Sequence, residues 1–114
     1  MWARVCLARG NPQEAKRALE ILDQLAARGV ETPLALNDMG VAHFQLADYE
    51  AAIGYFSKAL DKSPGYGEAL FNKALAEERD RRFQDAKRDW RLFIDLPTDE
   101  SWKAEAKKHL ESLQ

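Results

Sequence analysis

Cysteine is scarce in this chain of 114 residues, which contains only Cys6. A single cysteine cannot form an internal disulfide, and one cysteine with two histidines is a poor ligand set for a structural zinc ion. The longest apolar runs are a handful of residues, whereas a helix needs roughly 20 to span a bilayer. The N-terminal residues show no signal-peptide pattern. These absences predict a soluble, cytoplasmic protein with no metal site, no cofactor and no membrane partner.

An excess of charge of either sign is also missing. The chain carries 17 Lys plus Arg and 19 Asp plus Glu, for a formal net charge of -2. Proteins dedicated to nucleic acids usually carry a basic excess, so a nucleic-acid partner is not expected. Hydrophobic residues make up 46% of the chain and charged residues 32%, a mixture that can bury a core and solvate a surface. The length leaves room for one domain.

Prolines are few, and three of them, Pro33, Pro64 and Pro97, separate segments whose apolar residues follow a helical period. No stretch alternates apolar and polar residues as a strand would. The pattern therefore predicts an all-α protein. Its seven predicted helices lie at 1–9, 12–28, 33–46, 49–62, 67–80, 83–96 and 99–113.

Three of these helices begin at a recognisable cap. Asn11, Thr32 and Asp48 each have a side-chain oxygen that can accept from the free N–H groups of the following turn. The helix predicted from Phe83 is the exception, because Arg82 stands at its cap position. We expect that turn to be less well fixed, and a helix continuous through 67–96 is the alternative.

An offset of 34 residues reveals an internal repeat, in which Gly40 pairs with Ala74 and Phe56 with Trp90. The pattern resembles the tetratricopeptide repeat (TPR) family, whose signature is W-x2-L-G-x2-Y, then A-x3-F, then P. The first copy is Leu36-x2-Met39-Gly40-x2-His43, Ala52-x3-Phe56 and Pro64. The second is Leu70-x2-Lys73-Ala74-x2-Glu77, Ala86-x3-Trp90 and Pro97, which comes one residue early.

The resemblance implies an α-solenoid of antiparallel helix pairs, with about two and a half repeats and a C-terminal capping helix. The single TPR-like domain covers 1–114. Its parts are an incomplete first repeat at 1–30, a second repeat at 33–64, a third at 67–97 and the capping helix at 99–114. In that last helix an apolar stripe that includes Trp102 and Ala106 is predicted to pack inward, whereas His109 is expected to face solvent beside Glu105.

Two registers compete for the first repeat, with offsets of 34 or 37 residues from the second. We prefer 37, because it aligns the turn at 10–12 with the turn at 47–49. The first helix would then lack about six residues at its start. This suggests that the chain is a fragment of a larger protein.

No catalytic constellation stands out, so no enzyme activity is expected. Cys6 and His43 occupy equivalent repeat positions, but no third partner or oxyanion site accompanies them. Carboxylates lie mostly four residues from basic side chains, which is typical of solvated helix faces. The common phosphate-binding, metalloprotease and serine-nucleophile motifs are absent.

The resemblance implies a concave groove, lined by the first helix of each pair, that binds a peptide or helix of another protein. The predicted apolar floor of the groove is formed by Val41, Phe44, Phe71 and Leu75. The polar residues predicted to orient a bound partner are Asn37, Asn72, Glu78 and Arg79. We expect Phe44→Ala and Phe71→Ala to weaken binding and to cost the fold less than Phe56→Ala. One alternative is that neighbouring helices cover these residues. Another is that the open repeat end drives homo-oligomerisation instead.

Overall fold

The computed structural model describes residues 12–29 and 31–113 of the chain. These ranges contain six α-helices and no strand, which confirms the all-α prediction. The helices are α1 (Pro12–Ala27), α2 (Pro33–Gln45), α3 (Tyr49–Lys62), α4 (Gly67–Arg79), α5 (Phe83–Ile94) and α6 (Glu100–Leu113). The helix predicted at 1–9 and the cap predicted at Asn11 lie outside the described residues.

Each of these helices packs against the next one along the chain, from α1 through α6. In addition, α2 contacts α4, which brings together the first helices of two successive helix pairs. We call α2 with α3 the α2–α3 pair, and α4 with α5 the α4–α5 pair. This stack of helix pairs is the repeat architecture that the 34-residue offset predicted.

The turn inside the α4–α5 pair has a well-defined backbone geometry. Helix α4 ends at Arg79, and Arg81 has a φ of 63°. The backbone N–H of Arg82 then donates to the carbonyl of Glu77 at 2.8 Å, which closes a Schellman-type helix end. The alternative of one helix continuous through 67–96 is therefore wrong. The turn inside the α2–α3 pair has the same geometry, with a φ of 61° at Ala47.

The helix starts differ in how they are capped. Thr32 Oγ1 accepts from the N–H of Ala35 at 3.1 Å, and Asp48 Oδ1 accepts from the N–H of Ala51 at 3.4 Å. Both caps were predicted. Arg82 makes no side-chain cap to α5, as its residue type indicated.

Small residues allow the helices of each pair to approach closely. A Cβ added at Gly40 would overlap the ring of Phe56, so only glycine fits there without a shift of the ring. Ala74 takes the equivalent position in the α4–α5 pair, where both it and Trp90 are fully buried. The core therefore depends on matched pairs of one small and one aromatic residue.

Helix α6 lies against the α4–α5 pair. It packs on α5 and places Ala106 in full burial, with Trp102, Leu110 and Leu113 against the main core. The inward apolar stripe is the one that the sequence predicted for a capping helix.

Candidate partner-binding surface

The predicted groove residues lie on α2 and α4, which contact each other. Among them, Arg79 is exposed, and its guanidinium carbon lies 5.8 Å from the centre of the Phe44 ring. Phe44 is otherwise buried and meets Tyr49 edge-on, with ring centres 5.1 Å apart. Val41 is half-buried and packs against the same core cluster. These contacts bring part of the predicted set together.

Asn37 and Asn72 do not lie on an accessible surface, because both are fully buried. Asn72 Nδ2 donates to Asn37 Oδ1 at 3.2 Å, and Asn37 Nδ2 donates to Glu68 Oε1 at 3.2 Å. A buried amide must satisfy its hydrogen bonds within the protein. These two side chains therefore hold α2 against α4, and the expectation that they fix a bound partner from the groove surface is wrong.

This amide chain ends at the half-buried carboxylate of Glu68. Burial, with the nearby carboxylates of Glu68 and Asp38, raises the pKa of Tyr66 to about 12. Burial also raises the pKa of Asp38 above its ordinary value. A carboxylate in this position favours a cationic or hydrogen-bond-donating group over an anion.

Phe71 was predicted as an exposed part of the groove floor, and this expectation is wrong. Its ring is 0% exposed and meets Trp90, Phe93 and Trp102 edge-on, with centres 4.8, 5.1 and 5.2 Å apart. Because Trp102 belongs to α6, the capping helix covers the surface that Phe71 would otherwise expose. Leu75 is buried in the same core cluster. The alternative of a covering neighbour helix is therefore correct for these two residues.

Glu78 holds the capping helix in place. Trp90 Nε1 donates to Glu78 Oε2 at 2.6 Å, and the same oxygen lies 3.0 Å from His109 Nδ1. The imidazole of His109 stacks on the Trp90 ring, with centres 4.7 Å apart and planes inclined by 16°. His109 was predicted to face solvent, which is wrong because the ring lies between α5 and the Glu78 carboxylate. Charge-assisted hydrogen bonds of this kind fix the position of α6.

An open apolar cavity of about 430 Å³ lies between α1 and α2. Its lining residues are Ala18, Ile21, Leu22, Asp38, Val41, Ala42 and Gln45. Val41 is the member of the predicted groove that lines it, and Ile21 is 61% exposed beside it. Sequence reasoning did not assign the α1 residues to the site. The available signal was their helical spacing at 18, 21 and 22, opposite the row 38, 41 and 45 on α2.

Three other features would give the described ranges a different chemistry: a metal site, a membrane-spanning helix and a thiol–imidazole pair. No group of His, Cys, Asp and Glu there could hold a metal ion, and no helix in 12–29 or 31–113 is long and apolar enough to cross a bilayer. His43 stacks on Tyr55 with ring centres 5.1 Å apart and lies 3.6 Å from Asp48 Oδ2. Its possible thiol partner Cys6 lies outside the described residues.

Comparison with known proteins agrees with the repeat geometry. No curated protein matches the chain. The sequence model of the tetratricopeptide repeat family matches residues 1–67 and 37–90, which together cover most of the chain. The 34-residue spacing of the two turns equals the repeat period of that family. The chain therefore belongs to the tetratricopeptide repeat family.

Proposed function

We propose that this chain is a protein–protein interaction scaffold that binds a peptide or helix of a partner in the cavity between α1 and α2. TPR proteins in general bind other proteins or peptides and are typically non-enzymatic. The proposed site keeps Val41 from the predicted groove as a contact residue, whereas Phe71, Leu75 and the two asparagines belong to the core.

The cavity itself is the observation that carries this proposal. Its volume of about 430 Å³ falls within the range of about 300–1,000 Å³ that is usual for ligand sites. Its walls are mainly apolar, formed by Ile21 and Leu22 on one side and Val41 on the other. Exposed apolar surface of this kind marks interaction sites, since burying it against a partner is favourable.

Polar groups at the cavity margin would orient the partner. Asp38 and Gln45 both line the cavity. An apolar anchor with a few polar contacts around it is the usual arrangement of a binding hot spot. We therefore expect the partner to supply an apolar side chain, flanked by groups that donate hydrogen bonds to Asp38.

Substitution of the cavity walls tests this site. Ile21→Asp and Val41→Asp should each weaken binding by about 1–3 kcal/mol, because each places a charge in an apolar contact. The partner would come from capture with this chain as bait, and a binding isotherm would follow for each variant. Leu34→Asp is the matched control, since Leu34 is 59% exposed and does not line the cavity. If both cavity variants melt like the wild type and bind the partner with wild-type affinity, the cavity is not the binding site.

Homo-oligomerisation is the second candidate, and exposed Ile21 and Leu34 are the residues that favour it. A mass measurement in solution separates the two functions. A monomer at high concentration supports partner binding, whereas a dimer that Ile21→Asp dissociates supports self-assembly. A cytoplasmic location and the absence of a nucleic-acid partner stay predictions from composition.

A further inference from the structure

A second cavity, of about 390 Å³, lies where the end of α3 meets α4 and α5. It is far from the α1–α2 cavity in sequence and shares no lining residue with it. Leu60, Leu92 and Leu96 supply much of its apolar wall, and Leu92 is 51% exposed. The proposed function makes no use of this surface.

Comparison of the two helix pairs explains why a cavity exists here. In the α2–α3 pair, the ring of Tyr55 stacks on His43, and the ammonium of Lys58 lies 5.4 Å above the tyrosine ring. The residue 34 positions after Tyr55 is Asp89, whose short side chain lines the cavity. The α4–α5 pair therefore lacks an aromatic ring at a position where the preceding pair has one.

The charges around this cavity are unequal. Lys73 is its single cationic lining residue, and Lys73 Nζ is already engaged 3.0 Å from Asp89 Oδ2. Asp61 and Asp95 are two further lining residues, both exposed, and among the described residues neither forms an ion pair. A low-dielectric wall beside uncompensated carboxylates attracts cations to such a cleft.

We propose that this cavity is a docking site for an arginine side chain from a basic segment of a partner protein. The methylene stem of an arginine would pack on Leu92 and Leu96, as long charged side chains do on apolar surface. Its planar guanidinium would meet Asp61 and Asp95, and a guanidinium pairs with carboxylates in a two-pronged geometry that an ammonium cannot reproduce. The site is distinct from the α1–α2 cavity, so one chain could hold two segments.

Titration of the ¹⁵N-labelled chain with a blocked peptide, acetyl-Ala-Leu-Arg-Leu-Ala-amide, tests this proposal. We expect amide shifts that saturate and concentrate at residues 60–61 and 92–96. Replacing arginine with citrulline, which keeps the shape and removes the charge, should raise the Kd about fivefold or more, as should replacing it with glutamate. Shifts that map to the α1–α2 cavity, or equal affinity for the arginine and citrulline peptides, would overturn the proposal.

Two sets of variants sharpen the test. Asp61→Asn with Asp95→Asn should weaken the arginine peptide about fivefold, whereas Glu50→Gln with Glu111→Gln removes the same charge from exposed positions elsewhere and should leave the Kd unchanged. Lys73→Met, Glu77→His and Asp89→Tyr together install the α2–α3 residues and should abolish binding by filling the cavity. If that triple variant does not fold, the aspartate pair still decides. If the aspartate and glutamate double variants lose the same affinity for the arginine peptide, the effect is one of net charge, and this result would contradict the proposed site.

Discussion

The α2–α3 pair and the α4–α5 pair share a backbone plan but differ in the chemistry between their helices. Their internal turns have φ values of 61° and 63° at positions 34 residues apart, Ala47 and Arg81. Between the helices, the first pair has the stacked rings of His43 and Tyr55. The second has a charged cluster of Lys73, Glu77 and Asp89 at the positions of Met39, His43 and Tyr55.

This difference shows which positions determine the fold. Close approach requires the small–aromatic pairs, Gly40 with Phe56 and Ala74 with Trp90, and both helix pairs keep them. At the Met39 and Lys73 positions the chemistry differs, since Met39 packs in the core and Lys73 pairs with Asp89, yet the backbone is the same. Positions that vary in this way between the two helix pairs are where a function specific to this chain can arise.

The largest expected effect is on the aromatic centre of the α4–α5 pair. Phe71→Ala should lower the free energy of unfolding by about 3–5 kcal/mol, as much as Phe56→Ala, because it leaves a cavity among three aromatic rings. Urea denaturation measures this. Phe44→Ala is the comparison, and it should cost less, since its ring has an edge contact with Tyr49 alone among the described aromatic residues and lies at the exposed Arg79. A smaller loss of unfolding free energy for Phe71→Ala than for Phe44→Ala would contradict the assignment of Phe71 to the core.

A second comparison concerns two glycines of the α2–α3 pair. Gly40→Ala should destabilise the protein by about 1–3 kcal/mol, because the new Cβ overlaps the Phe56 ring. Gly54→Ala lies in α3 with no atom within 4 Å of the added Cβ, and it should stabilise by about 0.5–1 kcal/mol through helix propensity. Both values come from thermal or urea melts. Effects of the same sign would mean that close approach does not explain the glycine at position 40.

The charged cluster of the α4–α5 pair predicts a pH dependence. Burial and a hydrogen bond with Asp89 raise the pKa of Glu77 from 4.5 to about 9. Between these two pH values the folded state keeps a proton on Glu77 that the unfolded state has released. The stabilisation from Glu77 is therefore fully present below about pH 4.5 and is lost as the pH rises toward about 9.

Glu77→Gln keeps the shape of the side chain without this titration. Relative to the wild type, it should gain at least about 1 kcal/mol in unfolding free energy between pH 5 and pH 8, measured by urea melts at each pH. Glu111→Gln, on an exposed residue, is the control and should follow the wild type. Parallel wild-type and Glu77→Gln curves would show that the carboxyl group is ionised in the folded protein.

Apolar periodicity and capping residues predicted the helices, because helix formation and capping depend on residues that are close together in the sequence. Thr32 and Asp48 cap their helices as expected. The 34-residue repeat also located the two core aromatic positions, Phe56 and Trp90, which are fully buried. The groove was predicted less well, since a stripe on one helix does not reveal which other helix packs on it. Phe71 and His109 are far apart in sequence, and only the three-dimensional placement of α6 shows that their rings, 6.4 Å apart, are neighbours.

The smallest expected effect concerns the feature that the two helix pairs share. Ala47 and Arg81 both adopt a positive φ, which is unfavourable for a residue with a Cβ and costs glycine little. Ala47→Gly and Arg81→Gly should therefore each raise the unfolding free energy, by about 0.5–1 kcal/mol, despite the greater freedom of glycine in the unfolded chain. Ala104→Gly, on an exposed face inside α6, supplies the opposite case and should lower it by a similar amount. A gain at position 47 without one at 81 would mean that the two turns are alike in geometry but not in energy.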